Sequence, residues 1–241
     1  MYIKTIEILD RSVLSNSQQK NDAAVIYATI QTLTSLLYQP PLNDDYLPFL
    51  IPPTLGTSTI TSLYKLIYDN VFVEMESQRS TLSLISMMIS QINTVGQTNN
   101  DQCDDSKEAI LNLLRAAITP LHSIWETCST NQQFPLQKDL FAILSCTIST
   151  IARLIPDPHS WVRELYSMVI PMVDSALNPS FRDQNLHIEE DALLVWLNLM
   201  RMSNVYDENL NHLFGRVGDV IKNDLEHLRY VFCHIYLFHM L

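Results

Sequence analysis

Histidine and cysteine are the side chains of this chain that could bind a metal or act as base and nucleophile, but their spacing favours neither chemistry. None of the seven histidines pairs with a second one four residues away across a carboxylate, as the zinc motif HExxH requires. His234 and His239 stand five residues apart in one predicted helix, so they point to different sides of it. His122 and Cys128 could act as base and nucleophile only if they met. Six residues of helix place them on different faces, which favours an ordinary core or surface role for both.

The glycines and the remaining cysteines also lack a catalytic or ligand-binding motif. Gly215 and Gly218 fall within a helical pattern with no strand before them, so they do not form a phosphate-binding loop. The cysteines are far apart and include no CxxC pair, which indicates reduced thiols in an intracellular protein rather than disulfides. They are Cys103, Cys128, Cys146 and Cys233. We therefore expect no enzyme activity and no catalytic, metal-binding or cofactor-binding residues.

A run of three carboxylates at the start of a predicted helix is the best candidate for a binding site. Glu189, Glu190 and Asp191 stand there together, and Asp139 opens another predicted helix. Carboxylates stabilise the positive end of a helix dipole, so each could have only that role. If these helix ends line one surface, the four side chains could also bind a basic segment of a protein partner.

The overall charge favours a basic partner. Asp and Glu number 26 against 15 Lys and Arg, which gives a formal net charge of −11. Such a field repels nucleic acid and anionic membranes, so we expect neither as a partner. No stretch of about 18 apolar residues could span a bilayer, and the first ten residues lack the apolar core of a secretion signal.

The helix that positions the three carboxylates is apolar over two adjacent faces. In residues 186–201, LHIEEDALLVWLNLMR, one stripe has the i, i+3, i+4, i+7 spacing of a helix face and a second lies beside it. The first stripe is Ala192, Val195, Trp196 and Leu199, and the second is Leu193, Leu197 and Met200. A surface helix buries one stripe of roughly 100°. This helix must therefore be covered from several sides, as an inner helix of a stack is.

Helical periodicity continues along nearly the whole chain. Four glycines in 241 residues leave few tight turns, and the eleven prolines fall between or inside helical patterns, which is typical of helices joined by short connections. The pattern predicts helices over residues 1–14, 23–38, 60–75, 79–95, 108–128, 135–155, 161–177, 186–202, 208–222 and 225–240. Residues 39–57 are predicted to form a proline-rich connection with at most one helical turn. Residues 96–107 are expected to form a flexible acidic loop, a hinge rather than a domain boundary.

Antiparallel helix pairs that recur roughly every 40 to 50 residues are typical of HEAT or armadillo repeats. We therefore predict an all-α fold, a HEAT-repeat superhelix that forms a single domain over residues 1–241. Pro120 and Pro171 each interrupt a long apolar helix, at a cost of roughly 3 kcal/mol. Both could bend outer helices around inner ones, or they could be unrelated kinks.

Three consecutive segments resemble a known family: ELYSMVIPMVDSAL, NLHIEEDALLVWLNLM and ENLNHLFGRVGDVI. They resemble the later HEAT repeats of importin-beta (karyopherin) nuclear transport receptors, and the importin-eleven branch is the most similar. The resemblance extends back through LPFL (47–50), MESQRSTLSLISMMISQIN (75–93) and LRAAITPLHSIWE (114–126), so it covers most of the chain. Its least degenerate part is EEDALLVWL.

This resemblance implies a receptor that carries protein cargo through nuclear pores under the control of the GTPase Ran, in the nucleus and the cytoplasm. It implies nucleoporins and Ran as partners of the full-length receptor, and a concave face that binds cargo. The same resemblance implies that the second helix of each pair lines this concave face, although DPHSWVREL could reverse the order locally. Nothing here resembles the amino-terminal repeats that bind Ran, so the chain is expected to be a middle-to-late section of a longer array. The alternative is a non-transport HEAT scaffold in a multiprotein assembly, which would share the repeats but not the importin-like segments.

Overall fold

The computed structural model describes residues 23–38, 53–69, 71–72, 74–95, 104–131, 133–155, 158–181, 188–202 and 212–216, together with 218 and 220. Within these residues the regular structure is entirely helical, without strands, so the predicted all-α class is confirmed. The α-helices of this part are α1 (Ala23–Tyr38), α2 (Pro53–Tyr68), α3 (Met75–Val95), α4 (Asp104–Ile118), α5 (Leu121–Thr130), α6 (Phe134–Leu154), α7 (His159–Ala176) and α8 (Glu189–Met202). A 3-10 turn, Pro179–Phe181, follows α7. The chain divides into two compact units, Met1–Ile124 and Trp125–Leu241.

In the first unit α1 and α2 each pack against the second helix after them. α1 packs on α3, and α2 packs on both α3 and α4. Two hydrogen bonds join α1 to α3, since the Gln31 amide donates to the Ser80 hydroxyl at 3.0 Å and the Gln91 amide donates to the Leu37 carbonyl at 3.1 Å. Because the residue numbers rise together in both helices, α1 and α3 run parallel.

In the second unit α8 packs on both α6 and α7. The Asn198 amide donates to the Ser145 hydroxyl at 3.4 Å, and Lys138 lies 3.8 Å from Asp191. Both contacts join residues 53 positions apart, so α6 and α8 run parallel in one fixed register. Parallel packing of alternate helices is compatible with an α-solenoid.

The two apolar stripes predicted for α8 are buried. Both stripes are at most 3% exposed, and Trp196 is 1% exposed. The Trp196 ring packs edge to face on Phe214, with centroids 5.3 Å apart. Leu213 and Val220 are also buried, so the helical residues around 212–220 cover part of α8. Coverage from more than one side is the packing expected of an inner helix.

The two prolines differ in what they do to their helices. Pro171 lies inside α7, as predicted, and its side chain is exposed. Pro120 instead separates α4 from α5, so the single helix predicted over residues 108–128 is wrong. Proline lacks the N–H that would bond to the carbonyl four residues earlier. The chain therefore turns at Thr119 and Pro120 and begins a new helix at Leu121.

Three other predicted boundaries are wrong: both ends of α2 and the start of α4. The helix predicted over residues 60–75 begins at Pro53 and ends at Tyr68, so part of the predicted proline-rich connection is helical. Proline is well tolerated at the first position of a helix because that N–H has no helical partner. The helix α4 begins at Asp104, inside the acidic loop predicted over residues 96–107. Residues 96–103 lie outside the described residues.

The other predicted helices agree closely with the structure where it describes them. The helix predicted over residues 23–38 is α1 without change, and those predicted over 135–155 and 161–177 are α6 and α7 within two residues. α8 begins three residues after its predicted start, at Glu189. The start of α3 is an exception to this agreement, since the helix predicted over 79–95 begins four residues earlier, at Met75. The helices predicted over 1–14 and 225–240 lie outside the described residues, and of 208–222 only 212–216, 218 and 220 are described.

Candidate functional site

The parallel packing of α6 and α8 brings the candidate carboxylates of both helices to one end of the second unit. Asp191, on the first turn of α8, lies beside Lys138 on the second turn of α6, with the Lys138 Nζ 3.8 Å from the Asp191 Oδ2. The Lys138 side chain is 58% exposed and that of Asp191 is 32% exposed. We call Lys138, Asp139, Glu190 and Asp191 the charged end of α6 and α8.

The three consecutive carboxylates of α8 do not share one environment. Glu189 is buried, with 5% of its surface exposed, whereas Glu190 is exposed and Asp191 is half-buried. Successive residues of a helix are about 100° apart, so a run of three must turn from the core to the solvent. Glu190 and Asp191 are therefore the members of this run that are accessible to solvent.

The prediction that Asp139 opens its helix is wrong. α6 begins at Phe134, with Pro135 among its first helical positions, and its first turn holds no acidic residue. Asp139 lies one turn further along and is half-buried. Asp139 therefore follows Lys138 in the second turn of α6, at the end of the helix that lies beside Asp191. It is beyond the first turn, where the helix dipole most favours a carboxylate.

The Asp191 carboxylate sits in an environment that opposes its ionisation. Burial raises the pKa of Asp191, and the neighbouring Glu190 raises it further, while Lys138 acts in the opposite direction. An added cation close to Asp191 would stabilise the ionised form. A basic segment bound at the charged end should therefore lower this pKa.

A second charged cluster, which the sequence did not suggest, joins α7 to the helical residues 212–216. The Arg216 guanidinium donates two hydrogen bonds to the Asp174 carboxylate, at 2.7 and 3.2 Å, and the His212 Nε2 lies 3.4 Å from the same carboxylate. The hydrogen bond from Arg216 is the main cause that lowers the pKa of Asp174. The spacing of His212 and Arg216, one helical turn apart, is the sequence feature from which a shared face could have been predicted.

The described part of the chain contains one pair, His122 and Cys128, that the sequence analysis had considered for nucleophilic chemistry. Cys128 is buried, and burial raises the pKa of its thiol to about 12, so the thiolate is nearly absent at neutral pH. His122 is half-buried on the same helix, α5. Among the described residues, no group of three or more His, Cys, Asp or Glu side chains is placed to hold a metal ion.

None of the helices in the described ranges has the length and apolar character needed to cross a membrane. The described part thus defines a helical protein, compatible with an α-solenoid, whose candidate site consists of charged side chains at the ends of two parallel helices. In comparisons with known proteins, no family model matches this chain, and neither does any curated protein or solved structure.

Proposed function

We propose that this chain is a section of a HEAT-repeat nuclear transport receptor that binds a basic segment of a protein cargo at the charged end of α6 and α8. The observation that carries the binding role is the register of these two helices, which places Asp191 beside Lys138 of the neighbouring helix, at the end of α6 that also holds Asp139. The transport role rests on the importin-like segments of the sequence.

The packing of alternate helices supports a solenoid with two layers. α1 and α3 form one parallel pair, α2 and α4 another, and α6 and α8 a third. In each unit taken alone, helices of one layer are separated in sequence by a helix of the other layer. A solenoid built in this way presents an extended face made of equivalent helices, which suits an extended partner.

The charge of the site limits what it can recognise. Glu190, Asp191 and Asp139 supply three carboxylates, and Lys138 offsets one of them. A basic segment that binds here competes with Lys138 for Asp191. Exposed ion pairs contribute up to ~1 kcal/mol each, so affinity should come from several weak contacts and should fall steeply with salt.

The binding role is tested with a fluorescein-labelled peptide of lysine and arginine residues, by fluorescence anisotropy at low salt. The test variant is the triple substitution Asp139→Asn, Glu190→Gln and Asp191→Asn. The matched control is Glu108→Gln, Glu126→Gln and Glu164→Gln, which removes the same charge from exposed positions elsewhere. We expect the test variant to weaken binding at least about fivefold more than the control. Equal effects of the two variants would show that only net charge attracts the peptide.

The transport role needs a separate measurement. Retention of the chain on beads that carry phenylalanine–glycine repeat peptides of the nucleoporin type would support a transport receptor. A chain that binds the basic peptide but passes through these beads unretained would fit the alternative, a HEAT scaffold outside transport. The two results are independent, so the binding role and the transport role can fail separately.

A further inference from the structure

Two tyrosines of α2 contact the turn at Pro120 where α4 ends and α5 begins. The Tyr64 hydroxyl donates a buried hydrogen bond of 2.6 Å to the Ala117 carbonyl, in the last turn of α4. One helical turn later, the Tyr68 hydroxyl donates to the Pro120 carbonyl at 3.3 Å and also contacts the Ser123 hydroxyl. The last carbonyls of a helix lack partners within the helix, and the Tyr64 hydroxyl supplies a donor to one of them, the Ala117 carbonyl.

The two contacts differ in how easily water can replace them. Tyr64 is 2% exposed, and burial raises the pKa of its hydroxyl. Breaking its bond would leave a buried donor and a buried carbonyl unsatisfied, which is costly. Tyr68 is 49% exposed and Ser123 is also exposed, so water can take over their hydrogen bonds at little cost.

The Pro120 carbonyl accepts hydrogen bonds from both α2 and α5. The Tyr68 hydroxyl, the Ser123 hydroxyl at 3.3 Å and the Ile124 amide at 3.2 Å all donate to it. The Ser123 and Ile124 donors belong to α5 itself. The Tyr68 hydroxyl is therefore the one of these three donors that ties the first turn of α5 to α2.

We propose that Tyr64 and Tyr68 form a two-point clamp on the Pro120 turn. Tyr64 is the permanent anchor that keeps α2 packed on the end of α4. Tyr68 is a releasable latch that holds the first turn of α5 on that end. Release of the latch lets Leu121–Ile124 open locally while the α2–α4 contact persists. The clamp does not depend on what the chain binds.

Hydrogen exchange measured residue by residue on the whole chain tests this clamp. The Ile124 amide, which donates to the Pro120 carbonyl, reports on the latch, and the amides within α4 report on the anchor. We expect Tyr68→Phe to speed exchange at Ile124 about fivefold, as loss of one hydrogen bond of ordinary net strength does, with exchange in α4 unchanged. Tyr64→Phe should speed exchange throughout α4 at least about tenfold.

Two further variants separate the clamp from simpler explanations. Tyr38→Phe removes the hydroxyl of a tyrosine on α1 that is 82% exposed, and should alter neither set of amides. Ser123→Ala should speed exchange at Ile124 less than Tyr68→Phe does. Unchanged exchange at Ile124 in Tyr68→Phe would overturn the latch. So would an equal acceleration in α4, because Tyr68 would then support the whole packing of α2 on α4.

Discussion

The ammonium group of Lys138 lies 3.8 Å from the carboxylate of Asp191, across the parallel helices α6 and α8. Asp191, which we expect to attract a basic partner, therefore already has a lysine of the same chain beside it. Both side chains keep appreciable solvent exposure, so this pair is weak and salt-sensitive. Lys138 is in a position to tune how strongly the charged end binds a basic segment.

Removal of Lys138 should strengthen binding of a basic peptide. In Lys138→Gln, Asp191 loses its competing cation, so we expect up to about fivefold tighter binding at low salt. The difference from the parent should disappear as salt rises, because the effect is electrostatic. Anisotropy titrations at several salt concentrations measure this. Lys65→Gln, an exposed lysine of α2 in the first unit, makes the same change in net charge and should have a smaller effect.

Asp191 and Asp174 should affect stability with opposite pH dependence. Folding raises the pKa of Asp191 above its ordinary value of 3.8, so its contribution to stability is present below that pH and is lost as the pH rises. We therefore expect Asp191→Asn to leave stability at pH 7 unchanged or slightly increased. Urea unfolding between pH 3 and pH 7 measures the trend, and a clear loss of stability at pH 7 would contradict it.

The contribution of Asp174 to stability should have the opposite pH dependence to that of Asp191. The Arg216 hydrogen bond lowers the pKa of Asp174, so its contribution to stability is present above pH 3.8 and is lost as the pH falls through the lowered value. Since both side chains are partly exposed, Arg216→Gln should cost about 1–2 kcal/mol at pH 7. The same urea series should show this cost shrinking in acid. Arg163→Gln, at an exposed position of α7, serves as the control and should cost less than about 0.5 kcal/mol.

Trp196 should be among the most sensitive core positions. Its ring is 1% exposed and packs on Phe214, so Trp196→Ala leaves a large void and should cost about 3–5 kcal/mol. A double-mutant cycle with Phe214→Leu should give about 0.5–1.5 kcal/mol for the ring pair. Chemical denaturation of the four proteins measures both values, and full additivity would mean that the rings do not interact.

Cys128 should resist alkylation in the folded protein. Its thiol is buried and its pKa is about 12, while Cys146 is half-buried. At pH 8 only the thiolate reacts, so iodoacetamide should modify Cys146 at least about tenfold faster, as read from the peptides by mass spectrometry. In urea the two rates should converge. Equal rates in the folded protein would show that α5 opens readily around Cys128.

Local apolar periodicity was sufficient to predict most helices. The span of α1 was predicted without error, and α8 was predicted as a helix buried on two faces because its stripes lie within sixteen residues of sequence. Proline was the source of the main errors. The same residue type begins α2 at Pro53, separates α4 from α5 at Pro120 and lies inside α7 at Pro171. Which of these occurs depends on the contacts around each proline, such as the tyrosine hydroxyls beside Pro120.

The sequence by itself determined that this chain is helical, acidic and rich in apolar faces, because each of these follows from residue type and short-range spacing. Tertiary structure alone decided the surroundings of the candidate site. Lys138 meets Asp191 only because α6 and α8 pack in parallel with a shift of 53 residues, and Glu189 is buried only because α8 turns that position toward the core. Such a register is fixed by the packing of many side chains far apart in the sequence, so it cannot be predicted from the local pattern of charges.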